Sequence, residues 1–175
     1  GVLGSALQMD KEVAKRLLHA AGLPVTQWRA FHARELPLSQ AALAGIQRAL
    51  HLPVFTKPAN SGSSVGISKV ERWDQLPKAL AMAARYDHKL LVEQGVDARE
   101  IEVALLGSNP IEASVVGEIR TQHSFYDYEA KYVDESTELL VPALIDEATS
   151  DRARELAVRA MQVLEGEGLG RVDFL

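Results

Sequence analysis

Apolar residues recur along this chain at two periods, and the places where the period changes mark out its elements. Val13, Ala14, Leu17, Leu18 and Ala21 fall near one face at helical spacing. Asp10 is the expected N-cap of that helix, Gly22 its C′ residue, and Pro24 blocks continuation. Residues 25–31 read as an extended segment. A second amphipathic helix is expected over 39–50, with Leu43, Ile46, Ala49 and Leu50 as its apolar set and Gly45 as an internal cost. A third is expected over 74–85 on Leu76, Ala79, Leu80 and Ala83, with Pro77 tolerable only in its first turn. The last starts at Asp146 or Thr149 and runs to about Leu164; Gly166 and Gly168 stop it.

Elsewhere the period drops to two. Val54, Phe55 and Thr56 form a β-like run ending in Lys57-Pro58, and a second short run begins at Ile67. Residues 89–93 read as a strand, and 100–106 alternate Glu100 and Glu102 with Ile101, Val103 and Leu105. Asn109-Pro110 turns the chain into a strand over 111–116. Residues 169–175 are a final strand, with Arg171 and Asp173 on one face and Val172 and Phe174 on the other. The pattern over 89–119 is antiparallel in character, so a boundary is expected near 87–89. The expected class is α+β, with a helix-and-hairpin domain over 1–88 and a sheet domain over 89–175.

The two β-like runs flanking residues 60–66 are joined by Asn60-Ser61-Gly62-Ser63-Ser64-Val65-Gly66. Backbone N–H groups of such a loop can converge on an anion, and Ser63 and Ser64 add hydroxyl donors. Lys57 lies just before it. No Gly-Lys-Ser/Thr closes the loop onto a helix, so this is not P-loop spacing. On composition alone, a plain flexible hairpin fits equally well.

The chain has 175 residues, enough for one domain or two small ones, and a formal net charge of −5. The acidic balance without a basic run argues against nucleic acid as the main partner. With no cysteine there is no disulfide, thiolate metal site or cysteine nucleophile. The apolar runs are short and interrupted by charge, which argues against a membrane span, and a reducing, cytoplasmic setting is expected. Residues 121–138 have no clean period; they combine His123, Phe125, Tyr126, Tyr128, Lys131 and Tyr132 with five acids. A long aperiodic aromatic stretch in a compact domain suggests a functional loop. For Arg171 and Asp173, a structural ion pair and a site wall both remain open.

Several motifs then combine. Met9-Asp10-Lys11, Lys57-Pro58-Ala59, Gly62-Ser63-Ser64-Val65-Gly66, Glu93, Arg99-Glu100-Ile101-Glu102-Val103, Phe125-Tyr126-Asp127-Tyr128-Glu129-Ala130-Lys131-Tyr132 and Gly170-Arg171-Val172-Asp173-Phe174 occur in this order. Together they resemble the D-alanine–D-alanine ligases of the ATP-grasp superfamily. The resemblance implies an ATP-grasp fold whose central lid domain is 1–88, with its glycine-rich loop at 60–66. It implies an incomplete C-terminal domain over 89–175, with an active-site loop at 121–138. The family's N-terminal domain and its last metal-binding Glu and Asn have no counterpart here, so the isolated chain is expected to be inactive.

The resemblance also implies roles. Lys11 and Lys57 would contact the ATP phosphates, and Ser63 and Ser64 would close over them. Lys131 would reach the transferred phosphate, and Tyr132 would join a network with Ser63. Glu93 would accept from the adenine amino group, Gln94 would adjoin it, and Glu100 would hold the ribose. Arg171 would stabilise the acyl-transfer oxyanion, and Asp173 would bind Mg²⁺, or Mn²⁺ in its place. The implied partners are D-alanine and ATP, and the parent enzyme would be a homodimer. D-alanine–D-lactate ligation, or a catalytically incompetent nucleotide-binding module, are the alternatives.

Overall fold

The computed structural model describes residues 1–120 and 138–175. Lys131 and Tyr132 therefore lie outside the described residues. The elements in chain order are α1 (Val2–Met9), α2 (Lys11–Ala20), β1 (Trp28–His32), α3 (Gln40–Ala49), β2 (Val54–Pro58), β3 (Ser68–Val70), α4 (Leu76–Ala83), β4 (Lys89–Gln94), β5 (Glu100–Gly107), β6 (Ile111–Arg120), β7 (Glu138–Leu140), α5 (Glu147–Val163) and β8 (Gly168–Phe174). They divide into two compact units.

Among the described residues, one unit is Thr26–Val96. Its antiparallel sheet has the order β1-β4-β2-β3. Ile46 and Leu50 close over one face of this sheet with Leu76, Leu80 and Ala83, against Val54, Val70, Leu90 and Val92. Ser39 caps α3 by accepting from Ala42 N–H, which satisfies one of the orphan donors at its start. Pro77 sits in the first turn of α4, where its missing N–H costs nothing.

The other unit holds Gly1–Val25 and the described chain from Asp97 onward. Its sheet has the order β7-β6-β5-β8. Val103, Leu105 and Val116 pack with Ala153, Ala157 and Met161 of α5. Asp146 caps α5 through Thr149 N–H. Leu23 joins Leu156 and Ala160 in a smaller cluster, with Leu18 and Ala21 against it. Gly4 lets α1 approach the end of α5, because a Cβ there would sit 2.2 Å from the Glu165 carbonyl oxygen.

Two expectations need correcting. The boundary near 87–89 moves to the turn after β4, because β4 pairs with β1 on one side and β2 on the other. Residues 1–25 belong with the second sheet rather than with the hairpin that follows them. The other elements stand close to expectation, but α1 and β7 were not expected and β6 runs on to Arg120. Gly117 does not break β6; it lies opposite Glu102.

Candidate functional site

Antiparallel pairing fixes which side chains share a face, because residues directly opposite one another point the same way. In the first sheet Phe55 is opposite Glu93, Lys57 opposite Leu91, and Trp28 opposite Glu93 from the other side. Phe55, Lys57, Leu91, Glu93 and Trp28 therefore share the face away from the α3–α4 core. Lys69, opposite Phe55 on β3, joins them. Glu93 is buried, at 6 % exposure. Burying a carboxylate is costly without a partner, and Lys57 Nζ supplies one at 3.0 Å. The same ammonium lies 5.9 Å from the Phe55 ring centroid. An ammonium carries three donors, so one bond to Glu93 leaves two for another anion.

The loop after β2 is shaped for backbone exposure. Val65 N–H donates to Gly62 O at 3.0 Å, closing a turn with Ser63 and Ser64 at its centre. Both serines have positive φ, 49° and 58°. Positive φ at both central positions suits Asn-Gly or Gly-Gly and is unfavourable for serine. Such outliers persist where the surroundings over-determine them, and they cluster at functional sites. Gly66, at φ 74°, is required outright: a Cβ there would lie 2.6 Å from Tyr86 Cδ2 and 2.7 Å from Pro58 Cγ.

Gln94 has a different local task. Its side chain accepts from His51 N–H at 2.7 Å and donates to His51 O at 2.7 Å and Gly95 O at 2.9 Å. Its own N–H donates to Gln27 O. The side chain is thus committed to the turn before β2.

In the second unit, Glu102 is opposite Asp173, and Arg171 is opposite Ala104. Glu100, Glu102, Arg171 and Asp173 share the face away from Val103 and Leu105. The Arg171 guanidinium donates twice to Asp173, from Nε at 2.7 Å and Nη2 at 2.9 Å. Its Nη1 lies 3.0 Å from Glu102 Oε2. That contact is an ion pair without hydrogen-bond alignment, so the buried Oε2 has no hydrogen-bond partner among the described residues. The Asp173 bond holds the Arg171 pKa above its ordinary value; burial opposes this, and the Glu102 and Glu100 charges add to it. Lys11 lies in the first turn of α2, where Asp10 accepts from Glu12 N–H and Val13 N–H.

The structure thus brings Lys57 and Glu93 together, and separately brings Glu100, Arg171 and Asp173 together. Trp28 and Lys69 were not foreseen at the first of these faces. The alternation over 25–31 shows which residues share a side, but not which strand lies opposite. A groove of about 500 Å³ beside Arg29 and Arg48, and one of about 740 Å³ beside Arg99 and Phe174, contain none of the predicted residues. Lys57, Glu93, Glu100, Arg171 and Asp173 lie on the sheet faces instead.

Comparison with known proteins gives the family. A family model described as "D-ala D-ala ligase C-terminus" matches residues 17–175. The chain belongs to this family. It is 47 % identical over 175 residues to the D-alanine–D-alanine ligase of Thermoanaerobacter sp. (strain X514), covering 99 % of this chain and 48 % of that protein. It is 48 % identical to the D-alanine–D-alanine ligase A of Bradyrhizobium diazoefficiens, covering 99 % and 48 %. Among solved structures, the VanG D-Ala:D-Ser ligase from Enterococcus faecalis superposes with a TM-score of 0.86 at 35 % identity, covering 98 % of this chain and 49 % of that one. The D-alanine–D-alanine ligase of Coxiella burnetii gives 0.82 at 28 % identity, covering 100 % and 45 %. The α+β, ATP-grasp fold is shared with these ligases, a family that uses ATP. The chain spans about half the length of the curated relatives it matches.

Among the described residues, no group of three or more metal-ligating side chains occurs. Asp173 and Glu102 are opposite one another on β8 and β5, and Arg171 pairs with both. A hard cation that takes one or two carboxylates and fills its remaining positions with phosphate and water fits that donor set. No described helix is long and apolar enough to cross a membrane.

Proposed function

We propose that this chain handles the nucleotide and the acyl transfer in an ATP-dependent ligase that joins two D-alanines for peptidoglycan precursor synthesis. The observation that carries the reading is the Lys57–Glu93 pair, 3.0 Å apart, whose lysine lies on the strand that leads into the strained Ser63-Ser64 turn. A nucleotide offers phosphate oxygens to the first member and an exocyclic amino group to the second.

In the first step a carboxylate oxygen of D-alanine attacks the γ-phosphorus of ATP, and ADP departs with the bridging oxygen. This converts a poor electrophile into an acyl phosphate. Lys57 and Lys11 neutralise phosphate charge, and the Ser63 and Ser64 hydroxyls donate to phosphate oxygens. In the second step the amine of another D-alanine attacks the acyl carbon, loses a proton, and phosphate leaves. Arg171 uses two donors on Asp173, and its remaining N–H groups serve the oxyanion. Asp173 would hold Mg²⁺, or Mn²⁺, together with the nucleotide phosphates, and the cation would neutralise charge on the transferring group. Glu100 takes the ribose hydroxyls. Contact between Gln94 and adenine falls to its main-chain carbonyl, since the side chain and the N–H are occupied. On motif alone, Lys131 is assigned to the transferred phosphate and Tyr132 to the Ser63 network.

The expected setting is the cytoplasm, and the expected whole enzyme is a homodimer whose domains follow the two units. The isolated 175-residue chain is expected to bind Mg·ATP weakly without turnover. The decisive assay uses the complete gene product with ATP, D-alanine, D-serine and D-lactate, singly and in pairs. D-alanine alone should release phosphate and yield D-alanyl-D-alanine by mass. Product only when D-lactate or D-serine is present would overturn the dipeptide assignment in favour of a depsipeptide or a D-Ala:D-Ser ligase.

A further inference from the structure

The loop carrying Ser63 and Ser64 is gripped at both ends by two consecutive residues outside it. At its entry Asn60 donates twice to Asp87 Oδ2, from its backbone N–H and from Nδ2, each at 2.8 Å. At its exit Gly66 lies so close to the Tyr86 ring that no side chain would fit between them. The 86–87 segment is itself anchored. Tyr86 N–H and Asp87 N–H donate to Ala83 O at the end of α4, and Ala83 is fully buried. Asp87 Oδ1 accepts from Lys89 N–H at 3.2 Å, at the start of the central strand β4. Ala59 N–H donates to Lys89 O at 2.9 Å, so the pairing of β2 with β4 runs up to the loop. The Asp87 side chain is only 6 % exposed, and His88 Nδ1 lies 3.1 Å from Oδ1.

We propose that Tyr86 and Asp87 are positioning residues for the reaction: a two-point clamp that holds the ends of the 60–66 loop, so that the Ser63-Ser64 turn is presented to the nucleotide phosphates in one geometry. This rests on the functional reading above. The physical argument is preorganisation. A seven-residue loop free at both ends would lose its conformational entropy on closing over phosphates. Fixing both ends to the helix–strand core leaves little of that cost for the binding step. It also explains how two serines are kept at positive φ, because the ends determine the turn between them. Neither Tyr86 nor Asp87 touches the reacting atoms; they act through Asn60 and Gly66.

The test uses the complete gene product. Asp87→Ala should raise KM for ATP at least fivefold and lower kcat about tenfold, with KM for D-alanine unchanged. Asn60→Asp, which sets two carboxylates against each other, should do the same. Asp87→Asn keeps one acceptor oxygen of the two and should fall between Asp87→Ala and wild type in KM for ATP. Hydrogen exchange at the amides of residues 62–66 should quicken at least tenfold in Asp87→Ala and less in Asp87→Asn. An unchanged KM for ATP in the single variants overturns the clamp. So does an Asp87→Asn variant no better than Asp87→Ala. The amide measurement needs no turnover: unaltered exchange at 62–66 in Asp87→Ala refutes the clamp even if the wild type makes no dipeptide. An inactive wild type with normal clamp behaviour refutes only the functional reading.

Discussion

At the scale of single residues, the first unit carries a local conflict that a substitution can remove. Thr56 is fully buried on the core face of β2, between Val54 and Pro58, and its hydroxyl has no hydrogen-bond partner among the described residues. It lies opposite Val92 and Ser68. A hydroxyl desolvated without a partner costs about 1–3 kcal/mol, and removing it recovers part of that. Thr56→Val keeps the β-branched shape and replaces the hydroxyl with a methyl. It should stabilise the chain by about 1 kcal/mol, read as a raised urea midpoint at constant m-value. A lower midpoint would mean that the hydroxyl has a partner, such as a water. Thr56 precedes Lys57, whose side chain points to the opposite face, so nucleotide affinity should not change.

At the scale of elements, α2, α3 and α5 were legible because each carries both a period and a cap, and α4 from its period alone; α1, which has no side-chain cap, was not read. Asp10, Ser39 and Asp146 all make the N-cap bonds that their positions suggest. The partners of the strands were not legible. Alternation reports which face a residue takes, and says nothing about its neighbour across the ladder. Leu90, Leu91, Val92 and Glu93 are buried in succession, the mark of a central strand covered on both faces. Reading that run in this way would have attached β4 to the sheet before it and moved the boundary. The Lys57–Glu93 pair depends on the same register, so motif order could give both members roles without bringing them into contact.

The clearest electrostatic consequence at this scale is on β6. Glu118 lies opposite Ile101 at the edge of the core and is 3 % exposed. The Arg99 guanidinium grips both its oxygens and also donates to Leu144 O at 2.8 Å, and Arg120 approaches from the same strand at 3.1 Å. Arg99 draws the Glu118 pKa down to about 2; burial opposes this, and Arg120 assists. The folded value lies below the ordinary 4.5, so the unfolded chain binds the proton more tightly. The stabilisation is therefore complete above pH 4.5 and is lost as pH falls from there towards 2. Glu118→Gln should cost about 2 kcal/mol at neutral pH, because a charged acceptor for two guanidinium groups is lost. Urea unfolding at a series of pH values should show the gap between wild type and variant closing below pH 4.5. A gap that stays constant down to pH 2 would mean that Glu118 contributes through packing alone.

At the scale of the whole molecule, the two units differ in how the chain builds them. Among the described residues, the unit Thr26–Val96 is one continuous stretch, and every buried member of its main cluster, from Ile46 to Val92, comes from within that stretch. The other unit is discontinuous: Leu18, Ala21 and Leu23 pack on Leu156, Ala160 and Val163 of α5 from the far end of the sequence. A continuous stretch with its own sheet and core should fold without the remainder. A domain of that size has a small net stability, because it buries only about 60 % of the surface its unfolded chain exposes. Excised residues 26–96 should therefore unfold in one cooperative step with a stability of roughly 3 kcal/mol. Circular dichroism against urea, checked by dispersed amide resonances, reads this directly. Folding should also preserve the clamp, since Asn60, Gly66, Tyr86 and Asp87 all lie inside the piece, and slow exchange at 62–66 should persist in it. By contrast, removing residues 1–25 from the chain should uncover Leu156 and Ala160 and destabilise the second unit by about 2 kcal/mol, leaving the first transition where it was. A piece 26–96 that shows no cooperative transition would mean that the first sheet needs contacts from the rest of the chain, and that the expected division of the parent enzyme into domains along these units is wrong.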